Sequence, residues 1–218
     1  MYVGYQVKIT EVSQQKRLAH FFVYPCYYGS SLSWRFLVYS DTVVIMWKKL
    51  SSQDLFKHPR FVVEEDDVQI QSGKTIQYLR YGYGGDGVVI VARNDKNEVL
   101  FIREYSYIPN KRILQLPMGK VENGESYEDA ANRELQEETN LKANELIVKG
   151  SYFQNHRRSN NKGYVVLATE LKESITESDL EEENIENVWV PVSKIQSLIE
   201  QSEIVDADTL SSLSICKL

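Results

Sequence analysis

Residues 119–141 read GKVENGESYEDAANRELQEETNL, and this stretch decides how the rest of the chain is organised. Its glutamates Glu134, Glu137 and Glu138 recur at intervals of three and four. Side chains at those intervals share one face of a helix, so the three carboxylates would be neighbours. Like charges at this spacing repel, and a divalent cation with oxygen ligands removes the repulsion. The pattern indicates a metal site for phosphate chemistry; the alternative is an ordinary solvated acidic face.

Local signals place a helix inside this stretch. Ser126 is a typical N-cap, and Glu128 and Asp129 in the first turn favour the helix dipole. We expect the helix to end near Thr139, because Asn140 tolerates the left-handed conformation of a C-terminal cap. Ala130, Ala131 and Leu135 supply the apolar stripe opposite the carboxylates.

Strands are predicted on both sides of the motif. Upstream, WKKLSSQDLFKHPRF is a polar lead-in, FVVEEDDVQI and TIQYLRYGYG form a hairpin, GVVIVARN is a strand buried on both faces, and VLFIREYSYI is an alternating strand. Downstream, the strands are LIVKGSYF, GYVVLATEL and NVWVPV, followed by helices in VSKIQSLIEQSE and DADTLSSLSICKL.

The composition changes near residue 45. Residues 1–45 contain four basic and two acidic residues, whereas the whole chain of 218 residues has a net charge of -6. We interpret residues 1–45 as an N-terminal extension, residues 46–85 as a β-hairpin region, and residues 86–218 as the main domain. The extension is either a β-rich addition that packs on the main body or sequence upstream of a natural start at Met46.

Composition also excludes several classes. A net charge of -6 argues against sequence-independent nucleic-acid binding, which needs a surplus of Lys and Arg. No apolar run is long enough for a membrane span, and we expect no membrane partner. Cys26 and Cys216 are far apart, without zinc spacing or a disulfide framework, so a cytoplasmic location is the simplest interpretation.

The motif resembles the Nudix box, GX5EX7REUXEEXGU, in which U is a bulky aliphatic residue. Gly119, Glu125, Arg133, Glu134 and the remaining fixed positions match, except that Asn140 stands at the second glycine. The resemblance implies an α/β (α+β) Nudix fold, with a mixed β-sheet sandwiched between helices and an N-terminal antiparallel hairpin extension. It also implies Mg²⁺-dependent hydrolysis of a nucleoside diphosphate linked to another group, with Mn²⁺ as a possible substitute.

The resemblance assigns roles by position. Glu134 and Glu138 would be the principal metal ligands, Glu137 would help through metal or water, and the backbone carbonyl of Met118 would complete the metal shell. Glu125 and Arg133 would form a supporting ion pair beside Gly119.

From about Trp47 onward the chain is similar to the ADP-ribose and nucleotide-sugar diphosphatase branch of the family. The similarity lies in VLFIREYSYIPNKRILQLPMGKVENGES and EIVDADTL, among other segments. It implies a homodimer in which Arg103 and Glu104 lie beside the diphosphate and terminal sugar. Tyr78 or Tyr105 would stack on a base or else pack within a strand.

Two further segments are interpreted by analogy with that branch. Glu183, and next Glu182, match an acidic loop that often supplies a general base; a solvated charge run is the alternative. Arg157 stands where ADP-ribose-selective members tend to carry proline. Arg157 and Arg158 either bind a phosphate or sugar acid or are surface charges, and His156 beside them is read as a loop histidine.

The predicted function is hydrolysis of the pyrophosphate of a nucleoside diphosphate sugar, ADP-ribose first, to a nucleoside monophosphate and a sugar phosphate. The alternatives are a hydrolase of GDP-mannose or dinucleoside polyphosphates and a non-catalytic nucleotide-sugar-binding module.

Overall fold

A computed structural model describes the backbone of residues 19–28, 31–40, 47–174 and 185–218, and the side chains of the last two ranges. Met46, Glu182 and Glu183 lie outside the described residues. In chain order the elements are β1 (Ala19–Tyr28), β2 (Ser31–Ser40), β3 (Lys48–His58), β4 (Phe61–Gln69), β5 (Thr75–Gly82), β6 (Gly87–Ala92), β7 (Glu98–Ser106), β8 (Lys111–Gln115), β9 (Met118–Lys120), α1 (Tyr127–Thr139), β10 (Leu141–Phe153), β11 (Lys162–Glu173), β12 (Glu186–Pro191), α2 (Val192–Glu200) and α3 (Ala207–Cys216).

The N-terminal strands form a hairpin of their own. β1 and β2 pair antiparallel, from Ala19 opposite Ser40 to Tyr28 opposite Ser31. Together they make a two-stranded sheet.

The next sheet has the order β3-β4-β5, with β3 at its edge. The polar lead-in expected here is wrong, because β3 is a strand of 11 residues. Its polar side chains hydrogen-bond across to the acidic side chains of β4. Ser52 Oγ donates to Asp66 Oδ1 at 2.6 Å, and Gln53 Nε2 donates to Glu65 Oε2 at 3.0 Å. Polar cross-strand pairs therefore replace the apolar alternation that would have identified the strand.

The central sheet has the order β10-β11-β6-β9, with β11 and β6 parallel and the other two pairs antiparallel. β6 is buried on both faces, as its apolar run predicts. Val88 and Ile90 belong to the core cluster beneath α1, whereas Val89 and Val91 belong to the cluster beneath α2 and α3. The expected mixed sheet between helices is confirmed.

β7 lies between β12 and β8 in a fourth sheet and departs from the expected alternation. Val99, Leu100, Phe101 and Ile102 are all fully buried. Leu100 packs in the cluster beneath α1, while Phe101 packs in the opposite cluster. Residues 99–102 of β7 are thus covered on both faces, whereas Glu98 and the residues from Arg103 onward are at least partly exposed.

The helix of the motif begins and ends as predicted. Ser126 Oγ accepts from the Asp129 N–H at 3.1 Å. Asn140 has φ 58° and ψ 28°, and its N–H donates to Gln136 O at 2.9 Å. The two C-terminal helices also lie within their predicted stretches. Within the described ranges, none of the helices is long and apolar enough to cross a bilayer.

Candidate active site

The first glycine of the box is packed directly against the first helix glutamate. A Cβ added at Gly119 would lie 1.9 Å from Glu134 Cδ. Only glycine leaves room for that carboxylate, because real Cβ atoms do not approach other atoms this closely. Gly119 lies in β9, opposite Val88 of β6, so the sheet fixes the backbone against which Glu134 rests.

Arg133 connects the other box carboxylates. It forms the expected ion pair with Glu125, with Nε to Oε1 and Nη2 to Oε2 both at 3.1 Å. Its Nη1 donates to Glu134 Oε1 at 2.8 Å and to Glu137 Oε2 at 2.9 Å, and its Nη2 donates to Lys120 O at 2.8 Å. A single guanidinium therefore orients three carboxylates and ties the helix to β9.

These contacts shift the pKa values of the acids in opposite directions. Burial raises the pKa of Glu134, against the opposing effect of Arg133. The hydrogen bonds from Arg133 lower the pKa of Glu125 despite its burial. Glu134 has thus lost hydrating water, and any further positive charge nearby would stabilise its ionised form.

Glu138 is held by the backbone at the start of β9. Its Oε2 accepts from the Met118 N–H at 3.1 Å. The box therefore presents Glu134, Glu137 and Glu138 on one side of α1, all of them half-buried.

The carboxylates fit a divalent cation by donor type, since Mg²⁺ and Mn²⁺ take oxygen ligands. In the ranges 47–174 and 185–218, no three acidic, cysteine or histidine side chains converge into a preformed metal site. Here Arg133 Nη1 bridges Glu134 and Glu137. A cation at these carboxylates would offset the burial that raises the pKa of Glu134.

Two cavities flank the box and share Lys120. One, of about 440 Å³, is lined by Lys120, Arg133 and Glu134 among others. The other, of about 560 Å³, is lined by Met118, Gly119 and Lys120 on one side and by Gln154 and Asp208 on another. Lys120, the residue after the box glycine, therefore lines both the larger cavity and the smaller one that contains Glu134.

The larger cavity has aromatic and polar walls. Tyr81 and Tyr83 contribute rings whose centroids are 5.5 Å apart, edge to face. Gln154 Nε2 donates to Asp208 Oδ2 at 2.9 Å. Sequence reasoning assigned no role to Lys120, Gln154 or Asp208. Lys120 follows the box glycine and could have been found, whereas the other two depend on the folding of distant segments.

Arg157 and Arg158 lie in the loop between β10 and β11, and both side chains are exposed. Arg158 Nη1 donates to Leu79 O at 3.0 Å, and its Cζ lies 5.1 Å from the centroid of Tyr78. The Tyr78 hydroxyl in turn donates to Arg157 O. These contacts hold the loop to β5, and neither arginine lines the two cavities.

Arg103 and Glu104 lie on β7 and also stand apart from both cavities. Glu104 Oε2 accepts from Gln115 Nε2 at 3.1 Å, and Arg103 O accepts from Arg112 Nη2 at 2.7 Å. Tyr105 is exposed and donates to Asn110 Oδ1 at 2.7 Å. The substrate roles of Arg103 and Glu104 therefore stay predictions.

Comparison with known proteins agrees with this architecture. The family model of the NUDIX domain matches residues 85–212. The ADP-ribose pyrophosphatase of Bacillus subtilis is 25% identical over 172 residues, covering 78% of this chain and 92% of that protein. The ADP compounds hydrolase NudE of Escherichia coli is 29% identical over 159 residues, covering 70% and 82%. A crystal structure of an ADP compounds hydrolase aligns with TM-score 0.72 at 26% identity, over 78% of this chain and 92% of that chain.

The mixed sheet between helices carries a helix whose Glu134 packs against the strand of Gly119, and this fold matches that of the solved ADP compounds hydrolase. The chain belongs to the Nudix family, whose model covers more than half of it, and it is a pyrophosphohydrolase of that family. Hydrolases of this family generally use divalent metal ions.

Proposed function

We propose that this protein hydrolyses the pyrophosphate of a nucleoside diphosphate sugar, with ADP-ribose as the first candidate. One observation carries the proposal: Gly119, which lines the larger cavity, packs against Glu134, which lines the smaller one, and every acidic position of the box is present. Similarity to an ADP-ribose pyrophosphatase and to an ADP compounds hydrolase supports this substrate class.

In the proposed reaction, water attacks one phosphorus of the pyrophosphate and the bridging P–O bond breaks. The bridging oxygen leaves with the other phosphoryl group. ADP-ribose and water thus give AMP and ribose 5-phosphate: the oxygen of the water stays on one product, and its two protons go to the two phosphate groups or are released as these ionise.

Glu134, Glu137 and Glu138 would hold the cation, Mg²⁺ first and Mn²⁺ as a substitute, with the Met118 carbonyl as a further ligand. When bound, the cation supplies charge neutralisation and lowers the pKa of a bound water. Arg133 keeps Glu134 and Glu137 in place, and Glu125 keeps Arg133 in place. Glu183, outside the described residues, is proposed as the general base.

The test is turnover of a substrate panel by protein stripped with EDTA and then given Mg²⁺, Mn²⁺ or no metal. The panel contains ADP-ribose, ADP-glucose, GDP-mannose and a dinucleoside polyphosphate. We expect metal-dependent release of AMP from ADP-ribose. Metal-dependent turnover confined to another member would reassign the substrate, and binding of ADP-ribose without turnover of any member would identify a binding module.

Glu138→Gln tests the metal role within the same assay. The amide oxygen still accepts from the Met118 N–H, so the fold is retained while one ligand charge is lost. We expect turnover to fall about a hundredfold or more. Glu128→Gln makes the same charge change on the same helix outside the box pattern and is the matched control. Wild-type turnover by the Glu138 variant would refute the assignment.

We also propose a homodimer formed through the sheet β3-β4-β5. β3 is an edge strand, and all 11 of its residues are exposed. Leu50, Leu55 and Phe56 on it are each about half exposed, at 49%, 52% and 54%. A long exposed edge pairs readily with another strand, and a twofold axis pairs it with its own copy. Light scattering should give a dimer mass, and Phe56→Glu should shift it to the monomer.

We further propose that residues 1–45 are an N-terminal extension, residues 46–85 a β-hairpin region and residues 86–218 the hydrolase domain. Arg103 and Glu104 are proposed to contact the diphosphate and terminal sugar. A cytoplasmic location is proposed from the sparse cysteines.

A further inference from the structure

The larger cavity carries charge of opposite sign on two of its walls. Lys120 lies beside the box glycine, with Nζ 3.2 Å from the place where a Cβ of Gly84 would be. Asp208, in the first turn of α3, lies elsewhere in the lining of the same cavity. Its side chain accepts a hydrogen bond from Gln154. The third charged residue, Asp86, is engaged by the Lys162 N–H at 2.9 Å. The cavity thus offers a cation near the carboxylate helix and an acceptor away from it.

Asp208 is well suited to accept hydrogen bonds from hydroxyl groups. Its side chain is partly buried, and loss of water raises its pKa. Gln154 donates to one oxygen, Oδ2, and the neighbouring Tyr152 hydroxyl also acts to lower the pKa of this carboxyl. In dinucleotide-binding folds an Asp or Glu carboxylate accepts from a ribose hydroxyl, and the two oxygens of one carboxylate can accept from two adjacent hydroxyls. An anionic sugar acid would meet the same carboxylate as a like charge and would be disfavoured.

We infer that the larger cavity binds the sugar attached directly to a phosphate of the substrate, with Lys120 at the phosphate and Asp208 with Gln154 at adjacent sugar hydroxyls. This inference rests on the proposed function and names the binding residues of the same site. Both halves of ADP-ribose contain a ribose joined to phosphate, so the shared chemistry is a ribose 5-phosphate unit. The two halves are distinguished by the experiment.

The test measures equilibrium binding by calorimetry in EDTA, where no turnover occurs. The probes are ribose 5-phosphate and AMP, each with its 2-deoxy counterpart. For the half that occupies the cavity, Asp208→Asn should weaken binding of the ribose form about tenfold, as expected for loss of hydrogen bonds to a charged acceptor. Binding of the deoxy form should change less, because it lacks one of the hydroxyls. Lys120→Met should weaken the ribose and deoxy forms by the same factor, since both retain the phosphate.

Matched controls come from the turn between β6 and β7. Asp95→Asn and Lys96→Met make the same changes at exposed positions beyond the far end of β6 and should leave all four affinities unchanged. Gln154→Met provides a second route if Asp208→Asn perturbs the first turn of α3. It should reproduce the selective loss for the ribose form.

The result that overturns the inference is equal loss, or no loss, for ribose and deoxy forms in both the Asp208 and Gln154 variants. Selective loss for AMP alone places the nucleotide half in the cavity, and selective loss for ribose 5-phosphate alone places the other half there. If the variants lose affinity selectively for the ribose form but the wild-type protein hydrolyses no nucleotide sugar, the proposed function fails and the sugar site stands. If the wild-type protein hydrolyses ADP-ribose but the variants show no selective loss for the ribose form, only the sugar site fails.

Discussion

Gly119 and Glu134 are packed so closely that a methyl group on the glycine would overlap the carboxyl carbon, with only 1.9 Å between them. The glycine lies on a strand of the central sheet and the glutamate on the helix that packs against this sheet. The position of this carboxylate is therefore set by the absence of a side chain on the facing strand.

The first prediction follows from that contact. Gly119→Ala must displace Glu134 from β9, and we expect turnover to fall about a hundredfold or more, the scale of an ångström-sized displacement of a reacting group. Steady-state kinetics with ADP-ribose measures it. Gly82→Ala is the matched control, because its added Cβ would meet Asn161 and Val62 at ordinary contact distances of 3.6 and 3.7 Å. An active Gly119 variant would show that Glu134 does not need this position.

Arg133 is expected to matter for stability as well as for the site. Arg133→Met leaves Glu125 and Glu134 without their shared cation, so the free energy of unfolding should fall by about 2–4 kcal/mol. Guanidinium denaturation measures the loss. Arg93→Met, at an exposed position, should change it by less than about 0.5 kcal/mol. Equal midpoints for the two variants would contradict a structural role for the Arg133 network.

Asn140 stands where the family pattern has glycine. At φ 58° glycine has no steric cost, so Asn140→Gly should raise the free energy of unfolding by up to about 1 kcal/mol. Asn140→Val places a β-branched residue in the left-handed region and should lower it by about 1–2 kcal/mol. Thermal unfolding of both variants measures these changes. Loss of stability in the glycine variant would show that the asparagine side chain outweighs the backbone conformation.

Asp66 predicts a pH-dependent contribution to stability. Its burial would raise the pKa, but hydrogen bonds from Ser52, Lys49 and Arg80 outweigh that effect and hold the pKa at about 2, below the usual 3.8. The stabilisation is complete above about pH 4 and is lost as the pH falls towards 2. We expect it to be on the order of 1 kcal/mol, because Lys49 is half exposed and screened by solvent.

Denaturation of the wild-type protein and of Asp66→Asn at about pH 6 and about pH 2.5 measures this contribution. The difference between the two proteins should shrink at the lower pH, while Asp95→Asn should match the wild type at both. A difference that does not depend on pH would mean that the charge of Asp66 is not responsible.

The parts of the structure that the sequence predicts are those whose causes lie close together in the chain. α1 begins at Ser126 and ends before Asn140 because both caps act on the helix next to them. Strand β3 was not predicted, because its stabilising partners lie on β4, with Ser52 and Asp66 fourteen residues apart. A polar strand of this kind is visible only once its partner strand is known.

The same distinction applies to the site. Arg133 and Glu125 are eight residues apart within one motif, and the resemblance of that motif to the Nudix box predicted the ion pair that the structure contains. Gln154 and Asp208 are separated by 54 residues and meet because α3 packs against the central sheet. Their cavity could not be read from either segment alone.

The C-terminal end of α1 also accepts hydrogen bonds from both flanks of the segment 175–184. The Ser174 N–H donates to Asn140 O at 2.9 Å, and Asn187 Nδ2 donates to Thr139 O at 2.9 Å. The two chain ends that carry this acidic segment are therefore tethered to the helix that bears the box glutamates. Ser174 directly follows β11 and Asn187 lies on β12, so the end of the box helix is fixed by two strands that belong to different sheets.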